Sequence, residues 1–194
     1  MNLSNYLEKG YSYSDYLTKI EKTFQELEES GDEKGFAQYY SMNLKRIDRL
    51  NKTFELSEAQ KEQLKSVNTN FSLLVISEGW CGDAAQSMPI VNKIMEELGV
   101  TQKILFRDEN PELMDAYLTD GARSIPMYVG VDANGKELFR FGPRPKAGMD
   151  MLDKHKSDPE SYTADEFHKD LQVWYNQDKG ESTFNELLQI LTSK

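Results

Sequence analysis

The sequence is poor in cysteine, in histidine and in positive charge. Its 194 residues hold one cysteine, two histidines, and 23 lysines and arginines against 33 acidic residues. One cysteine forbids an internal disulfide, which excludes a disulfide-stapled scaffold. Residues 1–16 show neither a basic flank leading into an apolar core nor a small-residue cleavage site, so no secretory signal is read there. Both observations point to a reducing, cytoplasmic setting. A Cys–His metal box cannot form around one cysteine, and His155 and His168 lack a short ligand spacing. They read as surface residues, and no metal is expected.

The net charge of −10 argues against a nucleic-acid partner, which needs clustered Lys and Arg. The acidic residues are scattered and read as a solvated surface. Long apolar runs are missing too. The stretch Leu73-Leu-Val-Ile76 falls far short of the roughly 20 residues that span a bilayer, so no membrane partner is expected. The length fits one large domain, or one compact domain with an extension.

What is present begins with helical periodicity. Tyr16, Leu17, Ile20, Phe24 and Leu27 repeat at helical spacing until Gly31-Asp32, and Phe36, Tyr39, Tyr40, Leu44 and Ile47 form a second stripe. Ser57 and Gln60 are spaced as a capping box opening a third helix. Residues 1–67 therefore read as a helical N-terminal extension. The tyrosines at 6, 11, 13, 16, 39 and 40 read as packing it onto its neighbour, hydroxyls at the edge.

At Phe71 the pattern changes. Phe71 to Ser77 is a short β-rich run suited to a strand buried on both faces. An amphipathic helix bearing Ile90, Val91, Ile94, Met95 and Leu98 follows, closed by Gly99. Lys103 to Phe106 is a strand, and Asn110-Pro111 opens a helix through Leu118. Pro126–Val131 and Glu137–Phe141 read as strands joined across Asn134-Gly135, a strong hairpin signal. From Lys146 the tail is helical, with Trp174 and a stripe of Phe184, Leu187, Leu188 and Leu191. Strand-helix-strand implies parallel pairing and the hairpin adds antiparallel strands. The fold class is thus α/β: a mixed central sheet flanked by helices over residues 68–194.

Cys81 falls between the first buried strand and the next helix. A helix N-terminus favours an anion, and thiols so placed drop from about 8.5 into the range ~3.5–7.5. Asp83 opposes this. A carboxylate roughly 6 Å away costs a thiolate about 0.7–2.8 kcal/mol at a dielectric between 80 and 20, while the helix terminus returns ~0.3–1, at most ~2 kcal/mol. The ranges overlap, so the charge state of Cys81 stays open at this level. Asp83 also has a plainer role, because acidic residues suit first helical turns anyway. Trp80 reads equally as a shield for the thiol or as a cover for the end of the sheet.

Trp80-Cys81-Gly82-Asp83-Ala84, with Pro89 further along the helix, resembles the Trp-Cys-Gly-Pro-Cys motif of thioredoxins. Asp108-Glu-Asn-Pro111 resembles their strand-end segment, and Arg123-Ser-Ile-Pro126 the loop whose cis proline faces the active-site sulfur. The hairpin and Gly142 follow in order. The likeness covers about residues 68–145 and implies a thioredoxin fold. It implies that Cys81 is the catalytic nucleophile, with Trp80, Gly82, Asp83, Ile125 and Pro126 forming the substrate site. A cis bond at Pro126 would leave the Ile125 backbone exposed beside the thiol, free to pair with an extended peptide.

The departures are informative. Ala84 stands where the resolving cysteine belongs, and Val75 stands six positions before Cys81, where thioredoxins bury an aspartate. Without a resolving thiol, Cys81 can form a mixed disulfide but needs an outside thiol for release. The resemblance therefore implies a monothiol thiol–disulfide oxidoreductase acting on protein disulfides or mixed disulfides, regenerated by a low-molecular-weight thiol. Monothiol glutaredoxins lend that reading precedent, and some of them hold an iron–sulfur cluster. Their glutathione-binding pattern is missing here, so no cofactor is expected. The alternatives are a redox-silent module binding peptide or protein, and a redox sensor in which Cys81 oxidises.

Overall fold

The structure is a computed structural model and describes residues 1–193. Four helices precede the first strand: α1 (Ser4–Lys9), α2 (Tyr13–Ser30), α3 (Ala37–Thr53) and α4 (Glu58–Leu64). Then follow β1 (Ser72–Ser77), α5 (Gly82–Leu98), β2 (Gln102–Phe106), α6 (Pro111–Asp115), β3 (Met127–Val131) and β4 (Glu137–Phe141). Three helices close the order: α7 (Lys146–Ser157), α8 (Ala164–Asp178) and α9 (Glu181–Thr192). The boundaries follow local chemistry. Ser12 caps α2, Gly31 ends it in the left-handed region, and Ser57 and Gln60 form the anticipated capping box. Gly99, at φ +64°, ends α5.

The four strands form one sheet in the order β2-β1-β3-β4. The β1–β2 pair is parallel and the other two pairs are antiparallel, as strand-helix-strand followed by a hairpin requires. Leu73 to Ile76 are fully buried, which explains an unbroken apolar run in the central strand β1. In the hairpin, Asp132 Oδ1 accepts from the N–H groups of Asn134 and Lys136, and Gly135 takes φ +77°. Gly130 makes room for the Phe139 ring, which a Cβ at 130 would meet at 2.1 Å.

Helices cover the sheet, and those of residues 1–67 share its core. Tyr16, Ile20, Tyr40, Ile47, Leu50 and Leu64 join one hydrophobic cluster with the strands and α5. The Tyr16 ring stacks on Phe106 with centroids 5.3 Å apart. Tyr11 exchanges backbone hydrogen bonds with Ile104 and so pairs with the outer edge of β2. Leu3 N–H donates to Gly135 O at 2.8 Å, tying the N-terminus to the hairpin. The tyrosines divide: Tyr16 and Tyr40 are buried, but Tyr39 is 47% exposed. Asn43 takes the inward position on α3 instead.

Other differences from expectation have local causes. The helix after Pro111 stops at Asp115, not Leu118, because Asp120 and Gly121 at positive φ turn the chain through a Thr119–Ala122 bridge. His155 is half-buried rather than on the surface. Its ring stacks on Phe167, and its Nδ1 lies 2.7 Å from Tyr162 O. Tyr162, Phe167, Leu171 and Tyr175 form a second small cluster that holds α7 to α8. Among the described residues, no helix is long and apolar enough to cross a membrane, and no group of His, Cys, Asp and Glu could hold a metal ion.

Candidate functional site

Three segments meet at Cys81. Strand β1 ends at Ser77, the loop Glu78-Gly79-Trp80 turns the chain, and Cys81 becomes the N-cap of α5. The turn needs a glycine at 79, because a Cβ there would lie 2.3 Å from the Tyr40 ring and 2.9 Å from Ile20. Asn43, buried on α3, donates from Nδ2 to Gly79 O at 3.0 Å and holds the loop down. Trp80 lies between the Phe36 ring, 6.1 Å away, and the Arg107 guanidinium, 4.6 Å from its centroid.

The sulfur is enclosed. Cys81 is 7% exposed. Its thiol donates to Ile125 O at 3.3 Å, and Sγ accepts from Ala84 N–H at 3.5 Å. Burial pushes the thiol up to about 12, and the Asp83 carboxylate adds to it. The N–H groups of Ala84 and Asp83, with the Arg144 charge, pull the other way and lose. The contest that was open between helix terminus and carboxylate is thus decided by a third effect, desolvation. Burial therefore favours the protonated thiol, which in this geometry is a poor nucleophile.

Asp83 is not idle in the first turn. Its Oδ2 accepts from Arg144 Nε at 3.1 Å and from Arg144 Nη2, and its Oδ1 accepts from Tyr175 Oη at 2.8 Å. Ala84 is buried, and Val75 lies in the core of β1. Deeper in α5, Ser87 Oγ and the buried Tyr128 hydroxyl pair at 2.7 Å.

Trp80, Cys81, Gly82, Asp83 and Ile125 come together around a groove of about 270 Å³, rimmed by Arg107, Arg123 and Arg144. Pro126 is buried behind it, and the Ile125–Pro126 bond is cis, as is Gly142–Pro143. The Ile125 backbone is not exposed as expected. Ile125 is 5% exposed: its side chain joins the core and its carbonyl accepts the thiol's hydrogen bond.

A second hollow of about 340 Å³ opens beside the first, between α3 and α8. It shares Trp80, Gly82, Asp83 and Arg144 with the groove and adds residues that sequence reasoning passed over, among them Asn43, Arg46 and Tyr175. A signal existed for Asn43, which occupies the helical spacing of Tyr40, Ile47 and Leu50. Nothing local marked Arg144.

Beside the Glu78-Gly79-Trp80 turn, one more carboxyl is unusual. Glu78 is 6% exposed and accepts from Asp108 N–H at 2.9 Å. Burial raises it from 4.5 to about 7, although the Asp108 N–H opposes this.

Comparison with known proteins agrees with this architecture. The chain resembles a crystal structure of a protein of unknown function from Pseudomonas aeruginosa, with TM-score 0.62 and 18% identity over 95% of this chain and 93% of that one. It also resembles an HIV epitope-scaffold, with TM-score 0.65 and 16% identity over 100% and 99% of the two chains. These likenesses show the fold alone. No curated protein matches the sequence. A family model described as thioredoxin matches residues 30–156, which include β1, Cys81 and the hairpin. The chain belongs to the thioredoxin family.

Proposed function

We propose that this thioredoxin-family chain is a recognition module whose thiol stays protonated in the free protein. The observation that carries the reading is the enclosure of Cys81, whose S–H is donated to Ile125 O under a surface that keeps its groove. A resolving thiol is missing at Ala84, so the residues of the second redox step are absent as well. What remains is a groove bounded by Trp80 and Ile125 and rimmed by guanidinium groups, suited to holding a partner segment rather than exchanging electrons with it.

Monothiol exchange is the second reading. It is favoured by the N–H groups of Asp83 and Ala84 and the Arg144 charge, all acting on the sulfur in the sense that stabilises a thiolate. In it the Cys81 thiolate attacks a protein–small-thiol mixed disulfide, takes the small thiol and releases the protein thiolate. A second small thiolate then attacks the Cys81 adduct, leaving a small disulfide and the Cys81 thiolate.

The rate of Cys81 alkylation by iodoacetamide, followed against pH, separates the two. A thiol at about 12 rather than 8.5 is ionised roughly 10³-fold less at pH 7. Recognition without chemistry therefore predicts alkylation about three orders of magnitude slower than in the urea-unfolded chain. A midpoint below 8.5, together with turnover of a mixed-disulfide substrate, would establish the exchange reading instead.

A further inference from the structure

The hollow between α3 and α8 has a composition that the thiol site does not explain. One wall comes from Tyr39 and Met42, which are 47% and 41% exposed on α3. The other comes from Phe167, Leu171 and Tyr175 on α8, with Trp80 between them. The volume of about 340 Å³ lies near the lower end of the ~300–1,000 Å³ that small ligands occupy.

The polar end carries unspent positive charge. Arg46 is half-buried and donates from Nη1 to the neutral Asn43 Oδ1 at 3.0 Å. Among the described residues no carboxylate forms an ion pair with it. The guanidinium lies against the first turn of α5, where a Cβ at Gly82 would be 3.3 Å from Nη1. That helix end is already positive. Burial and the nearby Arg49 both disfavour the charge on Arg46, and the Asp83 carboxylate offsets them only in part. The second cation of the lining, Arg144, has its Nη1 buried without a hydrogen-bond partner. Asp83 is the one carboxylate in the lining, and Arg144 and Tyr175 already occupy both its oxygens. Two guanidinium groups facing one carboxylate leave one positive charge and unused donors beside an aromatic wall. Buried donors without acceptors are rare in native proteins, and guanidinium groups pair best with planar, two-oxygen anions.

We infer that this hollow binds a small aromatic carboxylate, its ring against Trp80, Tyr39 and Tyr175 and its carboxylate between Arg46 and Arg144. The inference is independent of the state of Cys81, because the thiol lines the neighbouring groove and not this one. A lone apolar hollow would take a neutral ligand equally well; the uncompensated charge makes it selective for an anion.

The test is isothermal titration calorimetry with 3-phenylpropionate, and with 3-phenylpropan-1-ol as a neutral ligand of the same body. The expected result is saturable one-to-one binding of the carboxylate, with the alcohol at least tenfold weaker. Arg46→Gln should weaken carboxylate binding at least tenfold while leaving thermal unfolding of the free protein unchanged or slightly raised, since it removes an uncompensated charge. Cys81→Ser should bind like the parent, which keeps this result separate from that of alkylation. Equal affinity for acid and alcohol, full binding by Arg46→Gln, or no heat up to the solubility limit of the acid would each overturn the inference.

Discussion

Replacing Glu78 by Gln should change how the protein responds to pH, and the structure supplies the magnitude. The Glu78 side chain is 6% exposed, and burial raises its proton affinity to about 7 from 4.5. A folded-state value above the unfolded one means that the folded protein holds its proton longer. Stability contributed by the protonated carboxyl is complete below about 4.5, falls as pH rises, and is gone above about 7. At 1.36 kcal/mol per decade the full effect is about 3 kcal/mol, of which about 2–3 kcal/mol develops between pH 5 and pH 8. Glutamine keeps an oxygen for the Asp108 N–H, now bonded at 2.9 Å, and cannot ionise. Any cost of placing its amide group is the same at every pH. Glu78→Gln should therefore gain on the parent as pH rises, by about 1–3 M in urea midpoint between pH 5 and 8 at a slope of ~1–3 kcal/mol/M. Paired urea titrations at those two values suffice. A difference between variant and parent that stays flat across the interval would refute the reasoning, and would mean that Glu78 is hydrated in solution.

Two further substitutions probe the same end of the sheet. Asp83→Asn should destabilise the fold by up to about 3 kcal/mol, because it leaves the Arg144 charge buried without its partner. It should also lower the pH midpoint of Cys81 alkylation, since Asp83 opposes the thiolate and Arg144 favours it; an unmoved midpoint would show that burial acts alone. Gly79→Ala places a methyl group 2.3 Å from the Tyr40 ring and should cost about 1–3 kcal/mol in urea unfolding. Adding Tyr40→Leu should recover part of that loss. Strict additivity of the two changes would show that the ring and the loop do not touch.

The fold was legible where one short segment determines its own structure. The unbroken apolar run of β1, the Ser57–Gln60 box, Gly99 and the Asn134-Gly135 turn each act within a few residues, and the element order then restricts the sheet to a mixed topology. The helix after Pro111 was overread because Leu118 continues the apolar count, while the positive φ of Asp120 lies beyond that count. At the site, Cys81 and Ile125 were brought together only by likeness to a known motif. The environment of the sulfur was not legible at all. Its burial depends on the Ile125 loop meeting the start of α5, and the partners of Asp83 come from Arg144, in the loop after β4, and Tyr175 on α8, whose positions no local pattern reveals. Arg46 reads on α3 as one more polar residue of an outer face, and becomes a charge beside Gly82 only when α3 packs on α5.

The backbone bonds from Leu3 to Gly135 and from Tyr11 to Ile104 have a consequence for how the protein is made. Leu3 and Tyr11 are made before their partners, which lie in the hairpin and in β2 and emerge only after α5. Until then the face of α2 carrying Tyr16 and Ile20 has no sheet to cover, and most of a helix's stability in a protein comes from packing such a face. A segment made early is therefore among the last to find its place.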